Sequence, residues 1–334
     1  MVLATALCGP APSSADGSHQ DLVWPPPPSA PRIRFLQTFS TPKELGISPG
    51  LLRRLGRAVK GGDTSRRILR PHGVFKDSKD RLYVVDTRFR AVHAFDVSNA
   101  QYYRFPEKPT DDFLQPIGIA VGDDGRAWIT DSEAGVVHVF LDRGKRYLQA
   151  IGHDVLQRPT GIALSRAADQ LLVVDTLASR IVVFDTRTLA PNRVIGADGS
   201  AAGEFHFPTS VFVAGDGKVL VADSLNFRVQ VLSSDFELLQ AFGRPGDAPG
   251  DFSRPKGVAA DSAGNIYVVD ALFDNVQVFD RDGRLLMAFG KPGQGQGQFW
   301  LPSEIFIDEQ DRIYVSDSYN QRVQVFQYLR EAGR

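Results

Sequence analysis

Two series of residues run through this chain in phase. Pro71, Pro116, Pro159, Pro208, Pro255 and Pro302 recur every 43 to 49 residues. Asp86, Asp131, Asp175, Asp223, Asp270 and Asp317 follow them at matching intervals. Chance does not keep two series in step over six cycles, so the chain is built of six repeats. Each repeat carries short β-rich runs punctuated by turn residues. The first follows the proline, as in Gly118–Val121, and ends in an Asp/Gly/Asn turn such as Gly122–Gly125. The second is almost wholly apolar, as in Ile266–Val269, which suits a strand buried on both faces. The third alternates, as in Val229–Leu232, and a looser fourth run ends in glycine, as in LLQAFG and LLMAFG. Four strands in about 45 residues make one propeller blade. The expected fold is all-β: a six-bladed β-propeller. The last repeat stops after its third strand, at Gln327, whereas Ile33–Phe39 (IRFLQTF) reads like a fourth strand with no blade of its own. That N-terminal strand is expected to complete the sixth blade and remove the open edges of the array.

The repeats resemble NHL repeats over roughly residues 32 to 328. The marks are the Pro-x-Gly opening, the strand ending in Asp, and Asp-Ser-x-Asn-x-Arg-Val at Asp223–Val229 and Asp317–Val323. The linker Gly-x-Phe-x-x-Pro recurs at Gly203–Pro208, Gly250–Pro255 and Gly297–Pro302. The resemblance implies the propeller fold but leaves the activity open, because such propellers serve as protein docks, RNA readers, sensors and lyases. The tract from Trp24 to Phe35, WPPPPSAPRIRF, is similar to exported bacterial members of the family.

Charge narrows the choice of partners. Lysine and arginine number 38 against 39 acidic residues, a balance that argues against general nucleic-acid binding. The single cysteine, Cys8, allows no disulfide within the chain and no cysteine-based zinc site. Met1–Cys8 (MVLATALC) resembles the end of a bacterial lipoprotein signal with Cys8 as the lipidated residue, although Leu7 stands where a small residue is usual. Residues 1–31 then form a signal remnant and a Pro/Ser-rich linker, 32–328 the propeller, and 329–334 a tail. The expected location is outside the cytoplasm, periplasmic or membrane-anchored. A polar, irregular N-terminus with an ordinary thiol is the alternative.

Strands alternate in direction within a blade, so the loops after the second strands and the linkers before the first strands share one face. The opposite face carries tight Asp/Gly turns. Loops carry function more often than scaffold does, which favours the loop face. The Asp at each second-strand end, with Arg180, Arg228 or Arg322 five residues on, reads as a structural brace. Leu177, Leu225, Leu272 and Tyr319 recur two residues after the Asp in four successive blades. They make either an exposed partner patch or packing against the next blade. Blade one instead carries Arg88, Phe89 and Arg90 in its loop, a candidate contact for RNA. His72, Lys256 and Glu304 are the ionisable residues among those directly after the prolines, and they are expected to ring the funnel mouth. His93 and His138 fall on the polar face of a third strand. That leaves His72 and His206 near the channel, too few for a three-histidine zinc site. No nucleophile–base cluster, phosphate loop or calcium loop is present, so no metal or cofactor is expected.

Between about residues 41 and 69 lies an insertion. Leu51, Leu52, Leu55, Ala58 and Val59 recur at helical spacing, with Arg53, Arg54, Arg57 and Lys60 on the other face. A short basic amphipathic helix is expected there, packed on the loop face or touching anionic lipid. The leading functional expectation is a non-catalytic binding scaffold for a protein or surface polymer, anchored through Cys8 or the Leu51–Val59 helix. A hydrolase or lyase working in the funnel is the alternative, and an RNA-binding domain the second.

Overall fold

The computed structural model describes residues 22–48, 66–107 and 113–330. Their strands assemble into six antiparallel sheets arranged as blades around a central channel. The first strands of successive blades neighbour one another round the channel, and that of blade six (Glu304–Ile307) lies beside that of blade one (Pro71–Lys76).

The second strands, such as Leu82 to Asp86 and Ile266–Asp270, are buried along their whole apolar length, as their composition requires. Both faces of each sheet are therefore apolar, and the core is divided into six clusters lying between neighbouring blades. One unites Val84 and Phe95 of blade one with Tyr314 and Val323 of blade six. Another joins Leu172 and Val174 of blade three to Val211 and Val221 of blade four.

The N-terminal strand Ile33–Phe39 pairs antiparallel with Arg322–Tyr328, with Ile33 opposite Tyr328 and Phe39 opposite Val323. Blade six thus takes its outer strand from the other end of the chain. A two-residue strand, Val23–Trp24, adds a fifth to this sheet, which the repeat pattern does not suggest. Trp24 packs on Phe289 and Phe326 at 5.9 and 5.8 Å between ring centroids.

The Pro-x-Gly signature has a physical cause. A β-carbon on Gly118 would sit 2.6 Å from the carbonyl oxygen of Thr160 in the next blade, and one on Gly73 would sit 2.6 Å from that of Ile117. Glycine is what lets successive inner strands approach. In blades one to five the register also slips just after the proline, leaving one extra residue on the inner strand.

The segment predicted to form the basic helix, Leu51–Val59, lies outside the described residues, as does Cys8. The described part of the insertion includes the 3-10 turn Pro42–Leu45, whose Leu45 joins Ile47 and Ile68 in the core between blades one and six.

Candidate functional site

The aspartates that punctuate the sequence brace the scaffold. All six are fully buried. Each accepts backbone N–H groups from the linker that precedes its blade, as Asp223 does from His206 (2.7 Å) and Asp86 from Leu69 (2.7 Å). Arg228 and Arg322 donate to Asp223 and Asp317 at 2.8 and 2.7 Å, and Arg180 lies at 3.4 Å from Asp175. In blades one and two, where the arginine is missing, a third-strand histidine stands beside the aspartate: His93 and His138 place Nε2 at 3.4 and 3.5 Å from Asp86 and Asp131. Burial alone would raise the Asp86 pKa. Contacts from His93 and two backbone N–H groups outweigh that and hold it below the usual value. The residue after the aspartate stitches blades together, as Ser224 Oγ donates to the carbonyl of Pro255 at 2.7 Å and Ser318 Oγ to that of Pro71 at 2.7 Å.

Within the channel the structure brings together two departures from the repeat. Gly occupies the second position after the proline except at Ser210 and Glu304. The Glu304 side chain crosses Gly257, where a β-carbon would come within 2.5 Å of its Oε1. Ser210 Oγ donates to that same oxygen at 3.0 Å, and the N–H of Ile305 donates at 3.1 Å. Lys256 and His72 stand close enough to interact electrostatically: Lys256 with Glu304, His72 with Lys256. All three ionisable residues keep some accessible surface, yet the protein around them dominates their titration. Burial pushes the Glu304 carboxyl up to about 8, against the opposing pull of the Ile305 N–H, the Ser210 hydroxyl and Lys256. Burial, then the charge of Lys256, draws the His72 imidazole down to about 3. Burial also lowers Lys256, helped by Arg254 and Arg158 and opposed by Glu304. The set therefore leans toward neutral forms.

Below this level the channel widens into a cavity of about 460 Å³. Gly73, Gly118, Ser210 and Glu304 stand at its inner end. Its walls are apolar side chains of the inner strands, among them Ile162, Leu164, Phe212 and the ring pair Phe75–Phe306, 4.9 Å apart. Its mouth is formed by the turns between first and second strands, including Asp77, Asp261 and Asp308. The cavity thus opens on the turn face rather than the loop face, and neither His72 nor Lys256 lines it. Only Glu304 of the three predicted funnel residues belongs to it.

On the loop face, Leu177, Leu272 and Tyr319 are 52%, 58% and 44% exposed. Leu225 is half-buried, between the two alternatives expected for it. Trp300, which the repeat pattern did not single out, stands 45% exposed against Tyr319, with ring centroids 5.5 Å apart. Arg70 lies over the Tyr319 ring at 5.3 Å. In the blade-one loop Arg88 and Arg90 are exposed, while Phe89 is half-buried beside His93. The N–H groups of Arg88 and Phe89 both donate to Asp86, so this loop has the same brace as the others. Among the described residues, no group of three or more His, Cys, Asp and Glu is placed to hold a metal ion.

Residues 113–140 match the model of the NHL repeat, and residues 252–330 match that of a family described as a 6-bladed beta-propeller. Among solved structures, the chain is similar to an auxiliary nutrient binding protein from Bacteroides thetaiotaomicron VPI-5482. The identity is 13% and the TM-score 0.61, over 79% of this chain and 70% of that one. It is also similar to virginiamycin B lyase from Staphylococcus aureus, at 12% identity and a TM-score of 0.57, over 78% of this chain and 95% of the other. A chain of a nidogen/laminin complex matches at 15% identity and a TM-score of 0.55, over 65% and 79% of the two chains. At such identities the likeness is one of fold.

Proposed function

The chain is a six-bladed β-propeller carrying NHL-type repeats, and on that premise we propose that it is a binding scaffold whose loop face docks a protein. The observation that carries this reading is the exposure of Leu177, Leu272, Trp300 and Tyr319 on loops and linkers of blades three, five and six. Large apolar side chains held out on the corners of a braced ring lower the stability of the free protein less than they reward a partner that covers them. The residues before three of the prolines, Arg70, Arg158 and Arg254, are exposed on the same face. The matching partner surface presents apolar side chains beside acidic ones. Among the solved relatives, the nidogen/laminin complex supplies a propeller of this fold described in complex with a protein.

The test is a binding measurement with a purified partner obtained by capture on the wild-type protein. The triple variant Leu177→Ser, Leu272→Ser, Tyr319→Ser should weaken the complex at least a hundredfold, from roughly 1 kcal/mol or more per side chain. Its melting temperature should remain that of the wild type, because these side chains are exposed. Undiminished affinity in the triple variant refutes the reading. A large fall in melting temperature assigns these residues to packing instead.

A further inference from the structure

We propose that the central cavity binds a small organic cation, its ammonium group held at the turn-face mouth and its apolar body lying along the inner strands. The site is separate from the loop face and does not depend on the reading given above.

Three observations carry it. The first is volume and lining. A cavity of about 460 Å³ is of the size that encloses small ligands. Phe75, Ile162, Leu164, Phe212 and Phe306 line it while half-buried, so their hydrocarbon surface is open to an occupant. The second is the charge at the mouth. Asp77, Asp80, Asp261, Asp308, Glu309 and Asp311 line it, against one cation, Lys76. The Lys76 ammonium is already committed to Asp80 (2.7 Å), Asp308 (2.8 Å) and Gln310 (3.0 Å). Asp77 pairs with Arg81 and Asp311 with Arg330, which still leaves the mouth acidic. Asp261 takes its bonds from Asn265 and the Tyr267 hydroxyl, both neutral donors. A cation is drawn to such a mouth and a carboxylate repelled. The third is the inner end. There the Ser210–Glu304 contact closes the cavity toward the loop face. Burial keeps the Glu304 carboxyl protonated at neutral pH, so the far end of an apolar body meets no fixed charge.

The experiment measures binding of octylammonium, octanol and octanoate to the whole protein by calorimetry at pH 7 and low salt, below the micelle concentrations. Octylammonium should bind tightest, octanol more weakly and octanoate not measurably. Lengthening the ammonium from hexyl to octyl should tighten binding roughly four-fold per methylene. Ala163→Phe and Ala260→Trp, two independent fillings of the lined space, should each abolish binding of both octylammonium and octanol. Glu309→Lys, at the exposed mouth, should weaken octylammonium at least three-fold and leave octanol unchanged. The last two measurements stand even if one filled variant fails to fold. Octanoate binding as well as octylammonium, no dependence on chain length, or full binding in a folded filled variant would each overturn the proposal.

Discussion

Glu304 offers the sharpest test of the channel chemistry. Its carboxyl is pushed up to about 8 in the folded protein, from an ordinary value of 4.5. Over that interval the native state holds a proton that the unfolded chain has released, so stability is lost as pH rises from about 4.5 to about 8. His72 acts in the opposite sense lower down. Its imidazole is held near 3 against an ordinary 6.5, so stability rises with pH between those values and is level above. Of the two, only Glu304 slopes between pH 6.5 and 8. That window of about 1.5 pH units, at about 1.36 kcal/mol per unit, amounts to about 2 kcal/mol. Solvent screening at the half-buried side chain reduces this to about 1–2 kcal/mol. Glu304→Gln keeps an oxygen to accept from Ser210 and Ile305 and removes the titration. Urea unfolding of both proteins from pH 6.5 to 8.5 at constant ionic strength reads the difference. The wild type should lose about 1–2 kcal/mol relative to the glutamine variant across the range. Parallel profiles would refute the assignment of a buried, proton-holding carboxyl at this position.

Two further substitutions test the scaffold around the channel. Gly118→Ala places a β-carbon 2.6 Å from the Thr160 carbonyl and 3.0 Å from the Thr130 hydroxyl, which itself accepts the Gly118 N–H. Overpacking of backbone against backbone should cost about 2–3 kcal/mol, measured by denaturant unfolding, and a neutral result would remove the packing account of Pro-x-Gly. Lys76→Met leaves Asp308 buried without its cation at the junction of blades one and six, and should cost about 3–5 kcal/mol. Adding Asp308→Asn should restore most of that loss, and a double variant no better than the single one would show that the pair is not coupled.

The architecture was legible because it is written in spacing. Two phased series set the number of blades, the run after each turn gave the buried strand, and the incomplete last repeat pointed to Ile33–Phe39 as its missing outer strand. The structural role of the aspartates was legible for the same reason, since a residue recurring with every blade serves the blade. His93 and His138 could be set aside on register alone, and they brace Asp86 and Asp131 in place of the arginine. What spacing conceals is the part played by a residue at a position that varies from blade to blade. Trp300 sits two residues before its proline, where the other blades carry Leu69, Leu114, Gln157, His206 and Ser253. Only the fold sets it against Tyr319.

The cavity was hidden for a more basic reason. A period of two along a strand assigns side chains to the two faces of a sheet, and in a propeller both faces meet another blade. The channel is bounded by the edges of the inner strands, to which the pattern assigns no residues. Its open volume is what remains after six edges have contributed unequal side chains. Here large ones enter at Phe75, Phe212 and Phe306, while glycine enters at Gly73 and Gly118. Which end is stopped depends on one blade: Glu304 replaces glycine and is long enough to cross Gly257 and reach Ser210. Ser210 and Glu304 were visible as exceptions, but they lie 94 residues apart and two blades away from each other. Only ring geometry turns two separate exceptions into one closure. That closure directs the open end of the channel to the turn face, whose tight Asp-rich turns look in the sequence like mere connections.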